Sequence, residues 1–418
     1  MSIAIAAAGG VLLSGLLGAV STVASGDTST PFDPPAVYVT WQRDPTTTIT
    51  IQWHSGAGQD DAVQYQRLDG GGWRTATGSH HAMSYSDRMV HVVELTGLEP
   101  GTDYRFRFGE DSAIYTFRTM PRDASTPIRF VVGGDTMAPL DLLDEGFEAM
   151  SRLVAKQGPM FVVIGGDIAY ADGHPKEVQR WYRWLATWKK EMVAPDGRLI
   201  PLLVVIGNHE VQGQFGQTPD KAPYFYSLFA MPGQRGYGLL DFGRYMSLIL
   251  LDSGHTHPVD GPQTDWLSRA LAERQDRPHV FAVYHVPAYP SVRDRSQGVS
   301  GKIREHWVPV FERYGLDVAF EHHDHTYKRT HPIRENMVDP RGVVYLGGGA
   351  WGVVPRKPLQ EWYLAKTAST LHFILVTIDS QGRRLVAIDD DGQIIDEVSQ
   401  IVTSAIPGER HVPAIAGR

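Results

Sequence analysis

Phe161-Val162-Val163-Ile164-Gly165-Gly166-Asp167-Ile168-Ala169-Tyr170 decides how the chain is read. An unbroken apolar run leads into two glycines, and the first polar side chain after them is a carboxylate. Such a run fits a strand buried on both faces, as parallel sheets require. Asp167 then stands at the carboxyl end of that strand, where open α/β sheets place functional residues. Tyr170 follows three positions later, close enough for both side chains to reach one point. An aspartate at a strand end often only caps a helix, so the weight of the reading comes from its recurrence.

The arrangement recurs along the chain. Ile128-Arg129-Phe130-Val131-Val132 ends in Gly133-Gly134-Asp135, and Leu202-Leu203-Val204-Val205-Ile206 ends in Gly207-Asn208-His209-Glu210. Val280 to Tyr284 runs into His285, and Asp317-Val318-Ala319-Phe320 precedes Glu321-His322-His323-Asp324-His325. Tyr245 to Leu251 is a further strand, ending in Asp252. Between them, Leu140 to Lys156 and Val178 to Met192 have helical spacing. Trp181, Trp184, Leu185 and Trp188 of the second stretch read as packing residues. Repeated strand–helix units predict an α/β domain, a sheet with helices on both faces.

Five strand ends thus carry Asp135, Asp167 with Tyr170, Asn208 with His209, His285, and His323 with His325. All are oxygen or nitrogen donors suited to Fe, Zn or Mn and not to soft metals. They are too many for one tetrahedral ion, whereas two adjacent ions sharing a bridging carboxylate would use them all. Such pairs, roughly 3.5–4 Å apart, clamp a phosphoryl group and generate hydroxide at neutral pH.

The composition agrees with this and excludes other classes. A chain of 418 residues predicts two or three globular units. A net charge of −8 gives no broad basic surface for nucleic-acid phosphates. No cysteine is present, so disulfides, thiolate metal sites and cysteine nucleophiles are excluded together. Ile3 to Ala24 is apolar or small and uncharged, like the core of a secretory signal, although no Lys or Arg precedes it. It is read as an export signal to the periplasm or exterior, with an uncleaved membrane anchor or a buried helix as alternatives. Residues 1–34 are then signal or anchor plus linker. Ala36 to Met120 reads as all-β, with strands at Val37–Trp41, Thr48–Trp53, Val63–Tyr65 and Arg105–Phe108. Leu98-Glu99-Pro100-Gly101-Thr102-Asp103-Tyr104 has the form of a tyrosine corner. The segment resembles a fibronectin type III sandwich, and its His54, His80, His81 and His91 read as surface or pairing residues without chemistry. Pro121 to Pro127 is a linker.

With these blocks in place, the chain resembles the purple acid phosphatases within the calcineurin-like metallophosphoesterases. The likeness rests on Gly134-Asp135, Gly166-Asp167-Ile168-Ala169-Tyr170-Ala171-Asp172, Gly207-Asn208-His209-Glu210, Tyr284-His285-Val286-Pro287 and His323-Asp324-His325-Thr326-Tyr327-Lys328-Arg329. It extends to Tyr224–Met231, Leu251-Asp252-Ser253, Asp265-Trp266-Leu267 and Gly347-Gly348-Gly349, and so spans about Pro35 to Val398. It implies a fibronectin-like domain over 35–121, an α/β/β/α catalytic domain over 126–400 and a tail over 401–418. It also implies one metal on Asp135, Asp167, Tyr170 and His325, and a second on Asp167, Asn208, His285 and His323. The Tyr170 phenolate implies Fe(III) at the first site, with Fe, Zn or Mn at the second. His209 takes the place of the family's transition-state histidine. The implied reaction is phosphomonoester hydrolysis on small phosphorylated substrates by a metal-bound hydroxide attacking phosphorus in line, without a phosphoenzyme. A phosphodiesterase with the same core is the alternative enzyme, and a metal-free binding or adhesion protein the alternative of another class.

The sequence departs from that family at stated points. Thr136-Met137 follows Asp135 where Leu-Gly is usual, and His322 replaces a glycine. Asp324 and Lys328 occupy positions that are usually apolar and acidic. His322 is either a simple replacement or an outer partner of the site. Val286-Pro287-Ala288-Tyr289-Pro290 lacks the family's further histidines, which leaves the substrate-side acid open. His255 and His257 follow a strand end within reach of the pocket mouth, but read as loop residues.

Overall fold

The computed structural model describes residues 32–137, 144–296 and 298–401. The apolar run Ile3 to Ala24, the first turns expected from Leu140 and the tail from residue 402 lie outside them. Among the described residues, no helix is long and apolar enough to cross a membrane.

Eight short strands come first: β1 (Val37–Thr40), β2 (Ile49–Ser55), β3 (Ala62–Arg67), β4 (Gly70–Thr77), β5 (Ser79–Ala82), β6 (Met89–Leu95), β7 (Asp103–Arg107) and β8 (Tyr115–Arg118). They form two antiparallel four-stranded sheets, ordered β1-β2-β6-β5 and β4-β3-β7-β8. The Glu99 N–H donates to the Tyr104 hydroxyl at 2.9 Å, the contact expected of a tyrosine corner.

The next strands are β9 (Ile128–Gly133), β10 (Val162–Ile164) and β11 (Leu202–Val204), with helices α1 (Asp144–Lys156) and α2 (Val178–Glu191) between them. Helix α3 (Pro223–Leu228) precedes β12 (Gly238–Phe242) and β13 (Met246–Leu250). Helix α4 (Pro262–Ala272), β14 (His279–Val283), α5 (Gly298–His306), α6 (Val308–Tyr314), β15 (Val318–Glu321) and β16 (Tyr327–Thr330) follow. A small hairpin, β17 (Ile333–Arg334) and β18 (Met337–Val338), leads to β19 (Val344–Gly348) and β20 (Leu364–Ala368). Strands β21 (His372–Ile378), β22 (Gly382–Asp389) and β23 (Ile394–Ile401) complete the chain.

The strand–helix repeat does not build the single sheet that its pattern predicts. Two mixed sheets form, ordered β11-β10-β9-β21-β22-β23 and β12-β13-β14-β15-β19-β16-β20. One face of each is apolar, and these faces pack together, with Phe130 and Phe281 ring centroids 5.8 Å apart. Helices α1 and α2 cover the outer face of the first sheet through Phe147, Trp184 and Trp188. Helices α4 to α6 cover the second through Leu267, Trp307 and Phe311. The result is the α/β/β/α sandwich that the resemblance implies. Alternation within one strand cannot reveal it, because a strand buried against a second sheet reads like one buried against helices.

The N-terminal sandwich shares this core. Trp41 sets its ring edge against Phe161 (5.8 Å) and Phe242 (5.9 Å). Tyr38 Oη and Gln52 Nε2 both donate to the Leu228 carbonyl at the end of α3, at 2.5 and 2.9 Å. The strand ends that carry the candidate residues therefore belong to one braced body.

Candidate metal centre

The parallel strands β9, β10 and β11 run side by side in register, Val131↔Val162↔Leu202. Their carboxyl ends deliver Asp135, Asp167 with Tyr170, and Asn208 to one rim. The parallel strands β14 and β15 of the facing sheet deliver His285, and His323 with His325. Packing the two sheets face to face brings both rims together.

Two groups of donor atoms result. Asp135 Oδ1 lies 3.2 Å from Tyr170 Oη and 3.1 Å from His325 Nε2, and those two atoms are 3.2 Å apart. His285 Nε2 lies 3.1 Å from each of Asp167 Oδ2, Asn208 Oδ1 and His323 Nδ1. His323 also joins the groups, its N–H donating to Asp135 Oδ2 at 3.1 Å. All seven residues expected as ligands are present in this convergence.

Around His285 the donor atoms fit a cation and not each other. His285 Nδ1 is 2.8 Å from the Gly165 carbonyl, which can only accept, so this ring nitrogen carries a proton. In neutral imidazole Nε2 is then a bare lone pair, yet it faces a carboxylate, an amide oxygen and another imidazole nitrogen. Asp167 Oδ2 is buried without a well-directed hydrogen bond among the described residues. A cation between these atoms removes the conflict. Without one, a proton takes its place: burial pushes His285 down, but the Asp167 carboxylate outweighs it and raises His285 to about 9. Burial likewise pushes Asp167 up, and the facing His285 and His209 bring it well below the carboxylate range. Metal uptake displaces such protons.

The backbone is shaped to the same end. Asp135, Asp167, Tyr170, Asp172, His323 and His325 all have positive φ, between 50° and 68°, and make up six of the ten non-glycine residues in that region among the described residues. Such conformations cost of order 1–3 kcal/mol each and persist where the surroundings enforce them. Glu210 supplies the enforcement: its carboxylate accepts the N–H groups of Asp167, Ile168 and Gly207, each at 2.8 Å. Gly207 must lack a side chain, because a Cβ there would stand 2.4 Å from Asp167 N and Oδ1.

His209 stands beside the centre without joining either group. Its N–H donates to Asp167 Oδ1 at 2.8 Å, and its ring stacks on Tyr170 with centroids 4.1 Å apart. Its Nδ1 lies 2.6 Å from Asp172 Oδ1, so Nε2 is turned toward the centre, 4.0 Å from Asp167 Oδ2. Burial disfavours a charged His209, but Asp167 and Asp172 outweigh it and raise its pKa. Asp172 and Glu210 escaped the sequence reading. Both lie inside the quoted motif blocks, and that position was the available signal.

The departures also find their places. Thr136 Oγ1 donates to the Ile168 carbonyl at 2.6 Å and accepts from Trp184 Nε1 at 2.9 Å, tying the Asp135 loop to the Asp167 loop. The His322 ring fills the room left by Gly165 and Gly134, where added Cβ atoms would stand 1.8 and 2.8 Å from it. Neither of its ring nitrogens makes a well-directed hydrogen bond among the described residues. Burial pushes it down to about 3. It is a neutral filler. His255 is fully buried and not at a pocket mouth. Its ring stacks on Phe215 and lies 5.6 Å from that of His285.

Lys328 and Asp324 fix the segment after His285. Lys328 Nζ donates to Glu321 and to the Tyr289 carbonyl, while Glu321 Oε1 accepts from Tyr284 Oη (2.6 Å) and Ala288 N (2.7 Å). Asp324 Oδ2 accepts the N–H groups of Ser291 and Val292, and Oδ1 accepts from Arg293. Lys328 and Glu321 are both almost wholly buried. Lys328→Met leaves a buried carboxylate unpaired and is expected to destabilise the fold by about 3–5 kcal/mol. Chemical denaturation checks this, and Lys328→Met combined with Glu321→Gln should regain most of the loss.

Comparison with known proteins adds to the geometry. Residues 34–119 match the purple acid phosphatase N-terminal domain, and residues 128–327 match the calcineurin-like phosphoesterases. Purple acid phosphatase 15 of Arabidopsis thaliana is 27% identical over 305 residues, which cover 65% of this chain and 55% of the relative. The chain therefore spans about half the length of that relative. An uncharacterized protein of Mycobacterium tuberculosis is 25% identical over 81% of this chain and 68% of its own length. A purple acid phosphatase isolated from yellow lupin seeds shares the fold, with a TM-score of 0.74 at 17% identity over 88% of this chain and 75% of that one.

Proposed function

The chain is a purple acid phosphatase-like metallophosphoesterase with that family's N-terminal domain, and from this we propose that it hydrolyses small phosphate monoesters at a two-metal centre. The observation that carries the reading is the meeting of seven donor residues, from five strand ends and two facing sheets, with ligating atoms 3.1–3.2 Å apart. Asp135, Asp167, Tyr170 and His325 would hold one ion, and Asp167, Asn208, His285 and His323 the other. A phenolate ligand favours Fe(III) at the first position, with Fe, Zn or Mn at the second. When bound, the pair supplies Lewis-acid polarisation of the phosphoryl group and lowers the pKa of water.

The remaining work falls to the chain. Glu210 holds the Asp167 turn through three N–H groups, so that the shared carboxylate keeps one orientation. Asp172 accepts the His209 Nδ1–H, so that the imidazolium, which Asp167 and Asp172 favour against burial, has its Nε2–H free to donate. That donor is placed to bind a phosphoryl oxygen as charge accumulates or to protonate the leaving oxygen. Stacking on Tyr170 limits ring rotation and keeps the donor aimed at the centre.

Two measurements on the purified holoprotein test the proposal. Hydrolysis of an aryl monophosphate should exceed that of a bis-aryl phosphate, and a strong diester preference would replace the monoesterase with a diesterase. Metal analysis should give both ions, with violet absorbance from tyrosinate on ferric iron. A colourless, fully metallated and active protein would remove Fe(III) from the Tyr170 position.

A further inference from the structure

The N-terminal sandwich holds a second convergence of metal-ligating atoms. Strands β5 and β6 pair His80 with His91, and β2 and β6 pair His91 with Trp53, so the three side chains form one row across the sheet. Asp61 reaches this row from the loop joining β2 to β3. Its carbonyl accepts the Gly78 N–H at 2.9 Å, which pins the loop to the edge of the sheet. Asp61 Oδ1 lies 2.6 Å from His91 Nδ1 and 2.8 Å from His80 Nδ1. One donor atom from each of the three residues lies within 4.8 Å of the others.

One hydrogen-bond arrangement around His91 leaves a proton-free contact. Where the Ser55 hydroxyl donates to the Gly56 carbonyl, 2.7 Å away, its oxygen is left to accept. Ser55 Oγ is also 2.6 Å from His91 Nε2, and that contact is a bond only if Nε2–H donates. A neutral imidazole has one N–H, so His91 Nδ1 is left as a lone pair aimed at the Asp61 carboxylate. Two acceptors 2.6 Å apart need a cation between them. A protonated His91 supplies that cation as an ion pair with Asp61; a metal ion supplies it without charging a ring that is 1% exposed and stacked on Trp53 at 4.5 Å, where burial opposes the charged form and Asp61 favours it.

We propose that Asp61, His80 and His91 form a divalent-metal site of the zinc class, with the fourth position open to water. Two imidazole nitrogens and a carboxylate are a zinc donor set, and the His91 Nε2–H donated to Ser55 is the outer bond that fixes a ligating histidine. Zn–ligand distances near 2.0–2.1 Å place tetrahedral donors about 3.3 Å apart, so the 2.8 and 2.6 Å contacts open by about 0.5 and about 0.7 Å on binding. Asp61, in a loop, and His80, on the edge strand with 44% of its side chain exposed, are the members free to move. Bound metal ties the β2–β3 loop to the exposed edge of the sheet, a structural role separate from hydrolysis.

The test uses the full chain with its catalytic centre loaded, comparing wild type with His80→Ala and Asp61→Asn. Added Zn²⁺ should leave one more equivalent on the wild type after dialysis than on either variant, and should raise the melting temperature of the wild type alone. Monophosphate turnover should stay within twofold in all three. Equal metal content in wild type and variants overturns the site. So does an NMR spectrum of the zinc-saturated wild type in which His91 carries a proton on Nδ1.

Discussion

Asp167→Asn is expected to abolish hydrolysis and lower metal content together. The substitution keeps the shape of the turn, because Asn Oδ1 still accepts the His209 N–H and the backbone bonds to Glu210 do not involve the side chain. What changes is the atom facing His285 Nε2 at 3.1 Å, which loses its charge. That charge acts on both groups, since it opposes ionisation of Tyr170 and stabilises the cationic form of His285. Metal-supplied transition-state stabilisation is worth several kcal/mol. At tenfold per 1.36 kcal/mol, its loss lowers kcat by about 10³-fold or more. Elemental analysis and a monophosphate assay on one preparation check both parts. Near-normal metal content in that variant would refute the shared carboxylate.

His209→Ala separates chemistry from metal binding. Its side chain contributes no atom to either donor group, so metal content should match the wild type while turnover falls by about 10²–10³-fold, the range for a lost proton donor. A variant with full turnover would take His209 out of the mechanism. Asp172→Asn provides the finer reading. The Asp172 carboxylate helps hold the His209 pKa above its ordinary value. Without it the cationic form is lost at lower pH, so the alkaline limb of the rate profile should move down in pH. A purely structural Asp172 would lower the rate and leave that limb where it was.

Much of the centre was legible before any coordinates. The run from Phe161 to Asp167 states both its burial and its end, and four further strand ends repeat the pattern with nitrogen or oxygen donors. Tyr170 could be placed because it lies three residues from Asp167, within one turn of chain. Asp172 and Glu210 were not read, although each lies within five residues of an expected ligand. An acidic residue beside a ligand has no signature of its own, and its use depends on which N–H groups the folded turn presents. Lys328 reads as a departure because its partner Glu321 sits on β15, two strands away across β19. His80 and His91 read as surface or pairing residues and Asp61 carries no signal, since no spacing in the sequence links a loop carboxylate to a cross-strand histidine pair.

The sequence by itself determined the donor types, their order and their positions at strand ends, because apolar runs, glycine turns and alternation are local properties of the chain. Only the tertiary structure decided that two sheets face each other, and hence that donors far apart in sequence meet at 3.1–3.2 Å. It also decided the protonation logic of the site. Which imidazole nitrogen is bare depends on a carbonyl supplied by another strand, Gly165 for His285, or on the direction of a neighbouring hydroxyl, Ser55 for His91. Those partners are chosen by sheet packing and strand register, which no single segment encodes.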